Sequence, residues 1–268
     1  MSSPAGIAGV FDRSAGTYDA VGVPWFGPIA HGLVQELAVR PGERVLDIGC
    51  GRGAALIPLA QAAGPTGQVL GIDLAPGMVE RTAADVAHLP QVQVQVADAA
   101  ATGLPAGAYD VVAACLVLFF LPDPAAALAS WVQLLAPGGR MGITTFGPQD
   151  ERWKSVDDLF TPYLPAGMRD ARTSGARGPF ASDAGVAQLM QNAGLSLVRT
   201  AHRSVTARFD SPQHWVDFSW SHGQRAMWEA VPIDARPQLL SEATALLSSW
   251  EPLALTQDVR HTLGEKLT

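Results

Sequence analysis

Cysteine is nearly missing from this chain: 268 residues contain two, Cys50 and Cys115, each inside an apolar segment. So few exclude a disulfide framework, and both thiols read as small buried side chains. Positive charge is also scarce, with 18 Lys and Arg against 25 Asp and Glu, a formal net charge of −7. Nucleic-acid binding needs a basic face to neutralise phosphates, so that class is set aside. No apolar run approaches the roughly 20 residues needed to span a bilayer. The opening "MSSPAGIAGVFDRSAGTYD" lacks the basic-then-apolar order of a secretory signal. No His and Cys cluster has metal-ligand spacing. These absences lead to the expectation of a soluble, cytoplasmic protein without metal, nucleic-acid or membrane partner. Its oligomeric state is left open between monomer and homodimer. What is present is apolar mass: 48% of residues are hydrophobic, enough for one sizeable core. One large α/β domain with added caps fits better than two independent domains.

Along the chain, residues 5–20 form an amphipathic helical pattern with Ile7, Val10, Phe11 and Tyr18 on one face. A second pattern runs from Pro28 to Ala38 and stops at "RPGE". Alternation then begins: "RVLDIG" predicts a strand, "GAALIPLAQAAG" a helix, "GQVLGIDLA" a strand and "PGMVERTAADVAHL" a helix. "VQVQVADA" alternates at period two, and "YDVVAACLVLFF" reads as a strand covered on both faces. "DPAAALASWVQLLA" is helical, "PGG" ends it, and "RMGITTFG" is another strand. Such alternation predicts a Rossmann-like parallel sheet with helices on both faces. Residues 148–182 carry no clear period and read as an inserted cap. A helix, a strand, a Trp-rich helical stretch over 211–250 and a final strand follow. The expected organisation is an N-terminal helical cap (1–40), a core (41–147), an inserted cap or lid (148–183) and a C-terminal part of the core (184–268).

"VLDIGCGRGAALIPLA" poses the functional question. Gly49, Gly51 and Ala54 satisfy the dinucleotide pattern G-x-G-x-x-A, and Asp73 lies near the usual distance beyond it. Asp47, two residues before the first glycine, argues against phosphate, because a carboxylate repels it. S-adenosylmethionine has no phosphate, a cationic sulfonium and an amino group that needs acceptors. Glycines admit its methionine part close to the backbone. Asp73 and Asp98, at the ends of the second and third strands, suit ribose hydroxyls and an adenine amino group.

"VLDIGCGRG", "VLGIDLAPGMVERT", "VQVADAATGLPAGAYDVVAACLVLFFLPD" and "LLAPGGRMGITTF" resemble the successive motifs of class I S-adenosylmethionine-dependent methyltransferases. "FDRSAGTYD" is similar to the opening of the ubiquinone/menaquinone-type subgroup. The resemblance covers residues 11–147 and implies a seven-stranded sheet, mostly parallel, with one antiparallel strand near the C-terminus. It further implies that Gly49, Cys50 and Gly51 contact the methionine portion through their backbone. Asp47 would organise the amino group, Asp73 the ribose, and Leu74 and Met78 would pack on the adenine. Asp98 and Ala99 would read the adenine edge, while Cys115 and Leu116 close over the methionine side. Tyr18 would reach the carboxylate from the N-terminal helix.

The acceptor side is less defined. Phe119 and Phe120 stand where many relatives carry polar or histidine residues, which suggests an apolar or aromatic acceptor. "HWVDFSWSHGQRAMWE" places Trp215, Phe218, Trp220, His222 and Arg225 within three turns. Phe218, His222 and Arg225 share a helical face by i, i+4, i+7 spacing. His222 is the first candidate for a general base and His214 the second. Phe119, Tyr163, Trp220 and His222 are the candidate substrate contacts, and Arg169, Arg172 and Arg177 could meet an anionic acceptor. The expectation is methyl transfer to an oxygen, nitrogen or carbon of a small metabolite, possibly a secondary one. A non-methylating step such as a cyclisation, which keeps the nucleoside only structurally, is the alternative. A nicotinamide-dependent oxidoreductase and a non-enzymatic binding module stand further back.

Overall fold

The computed structural model describes residues 6–165 and 178–267, so Arg169, Arg172 and Arg177 lie outside the described residues. Seven strands make one sheet: β1 (Arg44–Ile48), β2 (Gln68–Asp73), β3 (Val92–Val96), β4 (Tyr109–Cys115), β5 (Leu135–Gln149), β6 (Ser196–Arg208) and β7 (Ala254–Glu265). Their spatial order is β3-β2-β1-β4-β5-β7-β6. Pairing is parallel from β3 to β5, and β7 runs antiparallel to both its neighbours. This is the mostly parallel Rossmann-like sheet that the sequence predicts.

Helices α1 (Ile7–Ser14) and α2 (Phe26–Leu37) precede the sheet. The crossovers are α3 (Leu56–Ala63), α4 (Pro76–Asp85) and α5 (Pro124–Leu134). After β5 come α6 (Glu151–Asp158) and α7 (Asp183–Asn192), and after β6 come α8 (Pro212–Trp220), α9 (Arg225–Ala230) and α10 (Arg236–Ser248).

The strand pleat sorts side chains between two cores. Val45, Val111 and Ala113 pack with Leu33 and Leu37 of α2 and Leu56 and Leu59 of α3. Leu46, Ile48, Val112 and Ala114 point the other way, to Leu128 and Trp131 of α5 and Val186 and Met190 of α7. Each fully buried leucine here contributes about 1.5–3 kcal/mol. Gly142 is needed under α2, because a Cβ there would stand 2.8 Å from Leu33 Cδ1. A third core joins Trp25, Trp153, Phe160, Trp215 and Trp228 with Leu255 and Val259 of β7, so cap segments and sheet share one interior.

Several local expectations need correction. The first helix stops at Ser14, and Asp19 takes a left-handed φ of 55° before α2. The run "YDVVAACLVLFF" is not one strand: β4 ends at Cys115, Leu116 adopts φ 58°, and residues Leu118–Phe120 form a 3-10 turn. "PGG" does not separate helix from strand, because β5 begins at Leu135, directly after α5. Its ladder opens at Tyr109↔Leu135 and resumes past an irregularity at Val111↔Arg140. The stretch after Gly147 contains α6, which buries Trp153 and Val156 and is capped by Asp150 accepting from the Arg152 amide. A cap of that kind is worth ~1 kcal/mol.

One feature places the far wall of the site. β4 stops at Cys115, opposite Thr144, whereas β5 continues to Gln149, opposite Gln257 of β7. The β5–β7 pair therefore stands above the carboxyl edge of the neighbouring strands.

Candidate active site

The sheet order reverses direction between β1 and β4, where an open α/β sheet forms its ligand crevice. After β1 the amides of Gly49 and Cys50 both donate to the Ile72 carbonyl, at 2.8 and 2.9 Å. Gly49 has φ 69°, and a Cβ on it would lie 2.4 Å from Val117 Cγ2, so glycine is required there on both counts. Gly51, at φ 49°, has open space where its Cβ would be. The Thr82 hydroxyl fixes this turn by donating to Gly51 O at 2.7 Å.

Asp73 ends β2 and accepts from the Gly51 amide at 2.8 Å and the Ala75 amide at 2.9 Å. Burial raises its pKa, and the Ala75, Gly51 and Leu74 amides oppose the rise. Asp47 is 1% exposed, and neither oxygen receives a hydrogen bond of normal geometry. Burial first, then the negative charge of Asp73, pushes it up to about 8, against a weak opposing effect of the Leu56 amide. Asp98 is exposed past the end of β3 and accepts from the Ala100 amide at 2.8 Å. Trp131 Nε1 donates to Ala99 O at 2.7 Å and pins that segment.

A single cavity of about 1000 Å³ reaches all of them. Every residue expected at the donor, from Tyr18 to Leu116, lines it. Tyr18 stacks on Phe26 with ring centroids 4.4 Å apart, and burial, then Asp19, Cys115 and Asp73, raise its hydroxyl pKa. Cys115 is likewise pushed up to about 12, by burial first, so it stays a thiol beside the site. Both cysteines are free thiols.

The other half of the cavity is aromatic. Phe119 lies 4.6 Å from Phe120 and 5.5 Å from Phe146 by ring centroid, and Phe120 meets Phe11 edge-on. Trp25 and Trp153, stacked at 5.3 Å, add a further wall. His222 also lines the cavity, but not from the helical face expected: α8 ends at Trp220 and Arg225 starts α9, so His222 sits in the turn between them. Its ring packs on Phe218 and Phe26, and its Nδ1 accepts from the Gln224 amide at 3.3 Å. A neutral imidazole has one lone pair, and this bond occupies it.

The remaining candidates are elsewhere. Tyr163 packs against the third core and does not line the cavity. Trp220 stacks on Trp228 beneath the guanidiniums of Arg225 and Arg236. His214 donates from Nε2 to Val21 O at 2.8 Å, which fixes the chain before α2. Phe146, Trp153 and Gln257 line the cavity without having been singled out in the sequence, as does Phe11, read there only as part of an amphipathic face. For Gln257 the signal was a glutamine at a core-facing position of the final alternating strand.

The arrangement suits a cationic nucleoside. Three carboxylates, Asp47, Asp73 and Asp98, face the donor half. Among the described residues, the arginines lining the cavity, Arg13 and Arg52, are ion-paired with Glu229 and Asp85. Asp47, buried and lacking a normal hydrogen bond, has an acceptor to offer an ammonium group, and Gly51 leaves room beside it. Fold and site thus define an α/β protein with a carboxylate-lined crevice at the carboxyl ends of its parallel strands, suited to a ligand that carries positive charge.

Comparison with known proteins narrows that class. Residues 45–139 match the methyltransferase domain family. The chain is 38% identical to nocamycin O-methyltransferase of Saccharothrix syringae over 95% of this chain and 96% of that one. Aklanonic acid methyltransferase of Streptomyces sp. (strain C5) is 40% identical over 60% of this chain and 74% of its own. In structure, the YcgJ protein of Bacillus subtilis superposes with a TM-score of 0.58 at 16% identity, over 90% of this chain and 99% of that one. The chain belongs to the class I S-adenosylmethionine-dependent methyltransferases of the small-molecule type, and S-adenosylmethionine is its cofactor. Among the described residues, no helix is long and apolar enough to cross a membrane, and no group of three or more His, Cys, Asp or Glu could hold a metal ion.

Proposed function

We propose that the protein methylates an oxygen atom of an extended apolar or aromatic secondary metabolite. The observation that carries this is one continuous cavity joining the carboxylate-lined turn to a wall of Phe119, Phe120, Phe146 and Trp153. Its volume is at the upper end for a small-molecule site, which leaves room for two ligands in contact. The two relatives, nocamycin O-methyltransferase and aklanonic acid methyltransferase, support oxygen as the acceptor atom.

S-adenosylmethionine supplies an electrophilic methyl group on a sulfonium. In this reading the backbone of Gly49, Cys50 and Gly51 and the carboxylate of Asp47 receive the methionine end. Tyr18, Cys115 and Leu116 close over it, and Asp73 holds the ribose. Leu74 and Met78 pack on the adenine, with Asp98 and Ala99 at its edge. The protein accelerates transfer by holding donor and acceptor in line, a contribution of roughly 7–11 kcal/mol when alignment is good. His222, its lone pair engaged by Gln224, shapes the acceptor half rather than taking a proton.

The test is calorimetry with S-adenosylhomocysteine, then mass spectrometry of hydroxylated polycyclic aromatics incubated with S-adenosylmethionine. The expected result is one added CH2 on oxygen with stoichiometric S-adenosylhomocysteine. Acceptor turnover without S-adenosylhomocysteine would instead favour a non-methylating step, and absence of nucleoside binding would refute the reading outright.

A further inference from the structure

Gln257, on β7 between β5 and the edge strand β6, is a polar side chain with half of its hydrogen-bonding capacity committed. It is 6% exposed and lines the cavity. Its Nε2 faces three carbonyl oxygens: Asp258 O at 2.7 Å, Pro148 O at 3.2 Å and Gly147 O at 3.3 Å. Three acceptors around one end of a carboxamide fix its orientation, because the flipped amide would set oxygen against oxygen. The end left over is therefore Oε1. No described residue donates to it.

Strand register gives its place relative to the donor half. Cys115, Thr144 and His261 form one row across β4, β5 and β7. Gln257 lies four residues from His261 on β7, about 13 Å further along the strand direction. Phe146 and Gly147 line the cavity on the neighbouring strand.

We propose that Gln257 is a specificity-determining residue of the acceptor half, whose Oε1 takes an O–H or N–H carried on the end of the acceptor remote from the methylated oxygen. The site then selects two-ended, elongated acceptors with a hydrogen-bond donor at the far end, and excludes those in which that donor is already alkylated. This rests on the methyltransferase reading of the same cavity and adds the chemistry of its distal end. An acceptor to which no described residue donates, in a mostly apolar chamber, discriminates strongly, since a ligand without the donor leaves it desolvated and unmade.

The probes are 2,6-dihydroxyanthraquinone, its dimethyl ether, which has no donor in either orientation, and 2-amino-6-hydroxyanthraquinone. Binding to S-adenosylhomocysteine-loaded enzyme is followed by quenching of Trp25 and Trp153, which line the cavity. The diol is expected to bind roughly tenfold more tightly than the ether, and the amine to match the diol. In Gln257→Met the ratio of diol to ether should fall severalfold while S-adenosylhomocysteine affinity is kept. Equal binding of diol and ether by the wild type, failure of the diol to bind, or a ratio that persists in the variant overturns the proposal. The ligand series decides in the wild type alone if the variant does not fold. Loss of S-adenosylhomocysteine binding by the wild type would refute the underlying methyltransferase reading and is scored separately.

Discussion

Replacing Asp47 by Asn keeps the outline of the side chain and removes its ionisation. With its pKa at about 8 in the folded chain against an ordinary 3.8, Asp47 keeps its proton in the fold while the unfolded chain gives it up. The stability it allows is complete below about pH 3.8 and is lost as pH rises towards 8. At pH 7 that span is about three pH units, or roughly 4 kcal/mol. Asp47→Asn is therefore expected to raise the melting temperature of the ligand-free protein at pH 7, and to leave it unchanged near pH 4. Binding goes the other way. An ammonium group beside Asp47 draws it into the ionised form, so at pH 7 S-adenosylhomocysteine should release about 0.9 proton, the fraction a pKa of 8 leaves to be lost. Its affinity should climb up to about tenfold per pH unit below 8 and level off above. In the variant both effects vanish and affinity drops about 10- to 100-fold, the loss of a charged hydrogen bond. Calorimetry in buffers of different ionisation enthalpy reads the proton directly. Wild-type binding without proton release at pH 7, or an unchanged pH slope in the variant, would refute the reasoning.

Three other outcomes are expected. Gly49→Ala forces a Cβ at φ 69° against Val117 and should cost about 2 kcal/mol or more, with loss of nucleoside binding, read by thermal unfolding and calorimetry. His261 is fully buried, and burial lowers its pKa to about 4, so the stability it supports is present above about pH 6.5 and lost as pH falls through 4. His261→Asn should flatten the acid limb of a stability profile measured by urea unfolding between pH 4 and 7, a change of up to about 3 kcal/mol. Phe120→Ala should weaken acceptor binding, seen as a raised acceptor KM. It should leave S-adenosylhomocysteine affinity within about twofold, because the ring touches Phe11 and Phe119 on the aromatic side.

The strand-end half of the cavity was legible because its residues are set locally. Gly49, Asp73 and Asp98 each stand at or just past a strand end, and strands with both faces covered announce themselves as apolar runs. The acceptor half is assembled from segments far apart in the chain. Phe11 before the first strand, Trp153 in α6 and Gln257 in the last strand meet only after folding, and no spacing links them. The supposed helical face of Phe218, His222 and Arg225 failed for a related reason. Periodicity continued on paper, but the chain turned at Ser221 to bury Trp215 and Trp228 in the third core. Likewise the apolar letters after Cys115 carried no sign that Leu116 would turn left-handed and lift Phe119 and Phe120 out of the sheet.

The threading of β7 between β5 and β6 has a bearing on how the molecule is made. Until that segment emerges from the ribosome, two long neighbours each present a raw row of amides and carbonyls with nothing to satisfy them. The nascent polypeptide thus waits with a gap in its middle, open to pairing with foreign strands. Shortening the tail by even half of that segment would leave a sticky, unfinished chamber rather than a smaller enzyme.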